Sequence, residues 1–419
     1  VQRFDGWRIV ALAALSQGLA LPLLGAYGLV ATPLIEEFGA STTQLGLGMS
    51  LAILATALAG PPLGVALDRG PLRTIMLGGV ALMLLSVAAL SRGTALWQLA
   101  VCLAFATVGL SMYGMLPVQV ILVNWFVLRR GSALSFAYVG TSVSAFVVPP
   151  ATAWLIEAFG WRNALLALAA GAAVLAAPAI ARLVKRPEEL GQTPDGIAQG
   201  AATPVGQRRD ATASEARSEP TRAFASREAD GVIKDRNFWL IAVGIGLALS
   251  VSIATLFLVR HLETLGIPRT QAALVPSLMA AFGIVGKLGA GWLIDRVDAR
   301  AVVAGALALH ALGWAIVASQ TSLAALLLAA APLGLGGGGF LPLPAVLQGR
   351  CFGRDAIGRV GGLHGLIGLP FLLAAAPLVG WSEGRSGGFA APFYGLTGVL
   401  LLAAGVLACL RIPAVEPGR

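Results

Sequence analysis

Charged and apolar positions along this chain are segregated rather than mixed. From Ile9 to Ile35 there is no charged side chain at all. At about 1.5 Å per residue, a helix of that length exceeds a hydrocarbon layer roughly 30 Å thick. Twelve runs of this kind occur, over residues 8–36, 42–67, 72–91, 95–127, 131–158, 161–185, 237–260, 270–294, 301–319, 322–350, 356–382 and 388–411. Backbone amides in lipid find no water to bond with, so only helices or a closed barrel can span. The runs are continuous, and about twice the length of a barrel strand, whose residues would alternate. The pattern therefore predicts an all-α membrane protein with twelve transmembrane helices.

The apolar pattern breaks once at length. Residues 186–236 are rich in Pro, Gly, Ser, Ala and mixed charge, with Phe224 as the single aromatic. Such a segment buries too little surface to offset its chain entropy. It reads as a largely disordered linker, with a short amphipathic helix near its end, between a six-helix bundle at 1–185 and another at 237–419. A repeat relates the two. Gly64-Val-Ala-Leu-Asp68-Arg69-Gly-Pro-Leu-Arg73 follows the second span, and Gly291-Trp-Leu-Ile-Asp295-Arg296-Val-Asp-Ala-Arg300 follows the eighth, at a constant offset in numbering. Glycine lets helices approach closely, and aspartate can cap a helix N-terminus.

Composition excludes other classes. Hydrophobic residues make up 57% and charged residues 12%, far from an ordinary soluble chain. Of the 29 Lys and Arg, 23 fall on one side of the spans. Arg92, Arg162, Arg260, Arg269 and Arg385 fall on the other, and Lys287 lies within a span. The positive-inside rule then places both termini in the cytoplasm. It also accounts for the net charge of +9 without a nucleic-acid partner. Cys102, Cys351 and Cys409 show neither metal nor disulfide spacing and read as packing residues, so no metal or cofactor is expected. No cleavable signal pattern follows Val1, so the first helix is expected to stay as an anchor. No nucleophile–base pair is apparent, which argues against an enzyme.

The Gly-x-x-x-Asp-Arg loops resemble the hallmark gate of the major facilitator superfamily, and the resemblance covers essentially the whole chain. It implies two pseudo-symmetric six-helix bundles and secondary transport by alternating access. It also implies a gate of Asp68, Arg69, Arg73, Asp295, Arg296 and Arg300, in which Asp68 and Asp295 hold the halves together on the inner side when the transporter opens outward. Two further motifs resemble the monocarboxylate-transporter branch and the bacterial oxalate:formate exchangers. They are Asp5-Gly6-Trp7 and Asn124-Trp125-Phe126-Val-Leu-Arg129-Arg130-Gly131-Ser-Ala133, the latter continuing as Ala137 and Gly140. Taken without the resemblance, Arg129 and Arg130 are positive-inside residues, and Trp125 and Phe126 an interfacial belt. The resemblance implies a monomer in a bacterial inner (plasma) membrane.

Polar groups at membrane depth are costly and mark the substrate path. Lys287 is the clear case, about 12 Å from the inner end when counted back from Asp295. Snorkelling to the interface or resting over nearby glycines is the plainer account of it. Against that, its equivalent one repeat earlier is Gly60, so packing does not require a lysine there. Within the resemblance, Lys287 matches the eighth-helix arginine that binds substrate carboxylate, with a point charge in place of a bidentate fork. No carboxylate lies deep in a span: Glu36, Glu37, Glu157, Glu263 and Glu383 are all at outer ends. A net positive cavity predicts an anionic substrate, and one positive charge suits one carboxylate better than two; the resemblance implies an acid like lactate or pyruvate.

Three positions depart from the family. Gly283 stands where monocarboxylate carriers have an aspartate, Leu29 near their first-helix lysine, and Gly368 near the eleventh-helix lysine of the oxalate exchangers. The first two question the usual proton route, leaving Lys287, His364 or the substrate's own proton. The third argues against a dicarboxylate. Tyr113, Thr141, Ser144 and Ser250 are further donors for the substrate, and Asn124 another that also suits a helix cap. His310 reads as packing and Arg260-His261-Glu263 as an interfacial ion cluster, while Pro149-Pro150 and Gly336–Gly339 mark bends or close packing. Two other functions stay open, an exporter of a drug or lipophilic metabolite and a non-transporting sensor acting through 186–236.

Overall fold

The computed structural model describes residues 4–20, 30, 33–40, 42–196, 232–272 and 274–412. Leu29 and residues 197–231 of the linker therefore lie outside the described residues. The helices are α1 (Gly6–Leu19), α2 (Thr42–Arg69), α3 (Leu72–Leu90) and α4 (Leu96–Trp125). A helical stretch Arg130–Ala181 is divided at Gly160, whose φ is 76°, into α5 (130–159) and α6 (161–181). The second half holds α7 (Arg236–Ser250, resuming as Thr255–Thr264 after a 3-10 turn), α8 (Leu274–Ile294) and α9 (Ala299–Ser319). It ends with α10 (Leu323–Phe352), α11 (Ile357–Ser386) and α12 (Ala390–Ala408). Among the described residues, ten of these are long and apolar enough to cross a membrane. The shorter two are α1, where the middle of the first run lies outside the described residues, and α7, which is interrupted. Outward faces carry large apolar side chains such as Leu85, Phe146, Val174 and Leu328, all more than half exposed, as suits a surface that faces lipid.

The repeat extends well beyond the two loops. α4 breaks at Gly114, and α10 breaks at Leu341–Pro342, one repeat offset further on. At the other positions expected to bend or pack closely, the helix does not break. The helix runs on through residues 149 and 150, and through Gly336–Gly339. The glycine run instead serves packing: a Cβ at Gly337 would stand 2.9 Å from the His310 ring. His310, as expected, is a buried packing residue, accepting from the Trp314 indole at 3.1 Å.

The halves meet along two seams, α2 with α11 and α5 with α8. On the first, backbone packs on backbone. A Cβ at Gly60 would lie 3.0 Å from the Gly362 carbonyl oxygen, and one at Gly64 would run into the carbonyl of Gly358. Gly64→Val is therefore expected to wedge the seam open at about 1–3 kcal/mol, as overpacking does. The measurement is the melting temperature of the purified protein in detergent, which should fall.

The two narrower motifs turn out to be neighbours. Trp125 and Phe126 are fully buried and so form no interfacial belt. Trp7 packs on Phe126 with ring centroids 5.3 Å apart, and Phe4 on Trp125 at 6.0 Å. The Trp125 indole donates to the Val184 carbonyl at 2.8 Å. Arg130 is likewise buried rather than a surface charge, donating to the Phe126 carbonyl at 3.1 Å. The opening of the segment assigned to the linker, 186–196, forms two 3-10 turns against this motif. Asp195 there accepts from the amides of Val127 and Leu128, each at 2.8 Å.

Candidate functional site

A pair of aspartates clasps the halves together at the end of the bundle that carries the repeated loops. Asp68 accepts from the backbone amides of Gly358 and Arg359 at the start of α11, both at 2.8 Å. Asp295 accepts from the amides of Gly131 and Ser132 at 2.7 and 2.8 Å, and from the Ser132 hydroxyl at 2.7 Å. Each backbone partner in one set stands at the repeat offset from its counterpart in the other. A helix start carries unpaired N–H groups and partial positive charge, so each carboxylate completes a helix belonging to the opposite half. Burial pushes the Asp295 carboxyl above the ordinary carboxylate range, against the pull of these hydrogen bonds.

The arginines of the repeat do not share that bridging role. Arg73 donates to the Leu183 carbonyl and Arg300 to the Leu410 carbonyl, again related by the repeat offset and each within its own half. Arg300 also pairs with Asp298 at 2.8 Å and holds that carboxyl below its ordinary range. Arg296 lies over the Trp292 ring at 4.2 Å, and Arg69 is exposed. The arginines that do cross lie elsewhere: Arg186 pairs with Asp355 at 2.7 Å and Arg354 with Glu188 at 2.8 Å.

Two turns up α8 from Asp295, Lys287 projects into the α5–α8 seam, with 6% of its surface exposed. It does not snorkel to the inner surface. Its ammonium donates to the Ser142 hydroxyl at 2.6 Å, the Thr141 hydroxyl at 3.0 Å and the Tyr138 carbonyl at 3.4 Å, all on α5. Among the described residues no carboxylate pairs with it. Thr141, expected as a donor to the substrate, here accepts from Lys287, and Ser142 and the Tyr138 carbonyl were missed. The spacing of 138, 141 and 142, which places them on one helical face, was the available signal. The equivalents of these three in the other half are Gly365, Gly368 and Leu369.

Other candidates are placed separately. Ser144, one turn along from Thr141, is buried with its hydroxyl unpartnered among the described residues. The hydrogen bonds of Tyr113 go to α1, where its hydroxyl donates to the Leu19 carbonyl at 3.3 Å and its carbonyl accepts from Ser16 at 2.8 Å. Ser250 donates back to the Leu247 carbonyl at 2.7 Å. Asn124 is buried within α4, one residue before its end, and makes no helix cap. His364 is buried, with its Nδ1 2.9 Å from Gln348 Nε2 and its ring against Phe238. Gln119, which donates to the Tyr138 hydroxyl at 2.6 Å, and Gln348 were missed because an isolated glutamine carries no pattern. Arg260 lies 3.8 Å from Glu383, whereas His261 is buried against Phe389 and Phe393 and does not join it in the expected interfacial ion cluster. Among the described residues no group of His, Cys, Asp and Glu is placed to hold a metal.

Two halves related by a fixed offset, each clasped to the other by an aspartate on a helix start, point to one family of membrane proteins. The Major Facilitator Superfamily model matches residues 9–368 and 239–419. The chain belongs to the major facilitator superfamily. As a member it is a multi-pass membrane transporter and not an enzyme. This superfamily transporter is 29% identical to mouse (Mus musculus) monocarboxylate transporter 11 over 402 residues, covering 93% of this chain and 83% of that one. To rat (Rattus norvegicus) monocarboxylate transporter 13 it is 25% identical, covering 97% and 89%. Among solved structures, the proton:xylose symporter XylE superposes with a TM-score of 0.72 at 13% identity, over 95% of this chain and 94% of that one. An outward-facing bacterial homologue of the iron transporter ferroportin gives 0.69 at 18% identity, over 95% and 98%. These two likenesses are of fold alone.

Proposed function

We propose that this transporter carries a small organic monoanion, a monocarboxylate of lactate or pyruvate size, by alternating access. The observation that carries the reading is Lys287, a buried ammonium at the seam between the halves whose described partners are all neutral. An uncompensated cation at membrane depth is costly, and a substrate carboxylate supplies the missing charge. The relatives' name, monocarboxylate transporter, agrees with that sign. The halves 1–185 and 237–419 rock about the site, joined by the segment 186–236. The membrane is a bacterial plasma membrane with both termini on its cytoplasmic side, an orientation that the distribution of basic residues supports.

A proton travels with the anion in this reading. Gly283 removes the aspartate of the monocarboxylate carriers, so Lys287, His364 or the acid's own proton takes its place. The test is uptake of labelled lactate and pyruvate into proteoliposomes. Uptake should exceed that of empty vesicles and rise severalfold when the outer medium is made acidic. Uptake equal to empty vesicles across short monocarboxylates would overturn the anion assignment. Uptake indifferent to the gradient would remove the proton alone.

A further inference from the structure

The α5–α8 seam is gripped at two levels by one helix of the second half. Near the inner end Asp295 holds the start of α5, and two turns up α8 Lys287 holds its middle. Both grips reach across from one half to the other. The α2–α11 seam has the lower grip, through Asp68, but its upper position is Gly60 against the backbone of Gly362. Nor do the counterparts of Tyr138, Thr141 and Ser142 offer a side-chain oxygen there, being Gly365, Gly368 and Leu369. The upper grip is therefore a property of one seam only, and it uses the very group read above as the anion's partner.

An ammonium has three hydrogens to donate, and here three acceptors on α5 lie within reach of them. A carboxylate approaching Lys287 must compete for those hydrogens. It wins them because a bond between two ionised groups is stronger than one to a neutral hydroxyl. We infer that Thr141 and Ser142 form an anion-displaced latch: they tie Lys287 to the opposite half until substrate takes the ammonium and leaves Asp295 as the remaining grip on that seam. They are positioning residues in this scheme. The latch rests on the reading of Lys287 as the substrate's partner, and it links binding to opening by lowering the cost of parting α5 from α8 only when the site is filled. A latch of hydroxyls suits the task, because a carboxylate in that place would make an ion pair that an arriving anion could not displace without leaving a buried charge unpaired.

The test replaces both hydroxyls, in Thr141→Val/Ser142→Ala, and reads the inner end directly. Spin labels at Leu128→Cys and Val297→Cys, both exposed beside the seam, report its width in a chain with Cys102, Cys351 and Cys409 replaced by Ala. With no anion added, the double variant should populate a longer distance about tenfold more than its parent, as loss of hydrogen bonds to a charged group implies. In proteoliposomes its half-saturating pyruvate concentration should fall by a similar factor, because the competitor is gone. Exchanging the hydroxyls, in Thr141→Ser/Ser142→Thr, should restore both values and shows that the effect is not one of folding. An unchanged distance distribution overturns the latch, and so does an altered distribution with unchanged half-saturation. If the parent chain takes up no monocarboxylate while the anion-free distance still lengthens in the double variant, the substrate assignment falls and the tie between the halves stands.

Discussion

Lys287→Ala is expected to reduce pyruvate uptake by about two orders of magnitude while leaving the protein folded. A carboxylate bound to a buried ammonium is held by charge-assisted bonds worth about 1.5–3 kcal/mol each against water, and among the described residues the site offers no second cation to take over. The described ion pairs include none with Lys287, so its removal breaks no salt bridge. A buried charge without a counter-ion destabilises its surroundings, and truncating it relieves that cost. Truncation also removes the three hydrogen bonds to α5, which offsets that relief, so the melting temperature of the variant should change little while uptake collapses. A lysine present only for packing would give the reverse, a lower melting temperature with transport retained. Lys287→Arg separates charge from shape. It keeps the cation but presents a planar fork that does not fit three acceptors on one helix face, so partial uptake is expected. Uptake by the Ala variant at the parental rate would sink the site.

The second large effect concerns the gate. Asp295→Asn should shift the protein toward the form open at its inner end, by roughly 30-fold or more in population. The carboxylate accepts two amides and a hydroxyl of the opposite half, whereas an asparagine offers a single carbonyl oxygen and no charge to the helix start. Losing about 2 kcal/mol or more from the closed form corresponds to that factor. Asp68→Asn should act the same way but less, since it accepts two amides and no hydroxyl. Arg69→Ala is the contrast, because an exposed side chain outside the clasp should leave the distribution where it was. Labelling of cysteines placed at the inner ends of α5 and α8 reads all three. Equal opening by the Arg69 and Asp295 variants would show that general surface charge, and not the clasp, holds the gate.

How much of this was visible beforehand differs by level. The twelve spans were legible because lipid admits almost no charge, so each helix announces itself as an uncharged run. The repeat offset was legible in the paired loops, and it then proved to relate helix breaks, gate acceptors, gate donors and the bracing arginines alike. Lys287 stood out for the same reason as the spans, as the one cation inside them. The arginines of the repeat were less well read. Their shared motif hid that Arg73 and Arg300 brace their own halves, because a motif records which residues recur and not which way they reach.

By itself, the sequence determined the class, the helix count, the pseudo-symmetry and the sign of the buried charge. Each follows from transfer free energy or from repetition, which are local properties of the chain. Only the tertiary structure decided what Lys287 touches, that Trp125 and Phe126 are core rather than belt, and that Tyr113 is engaged by α1. Those facts depend on which faces of helices far apart in the chain are pressed together, and glycines at the seams set that closeness without leaving any hydropathy signal.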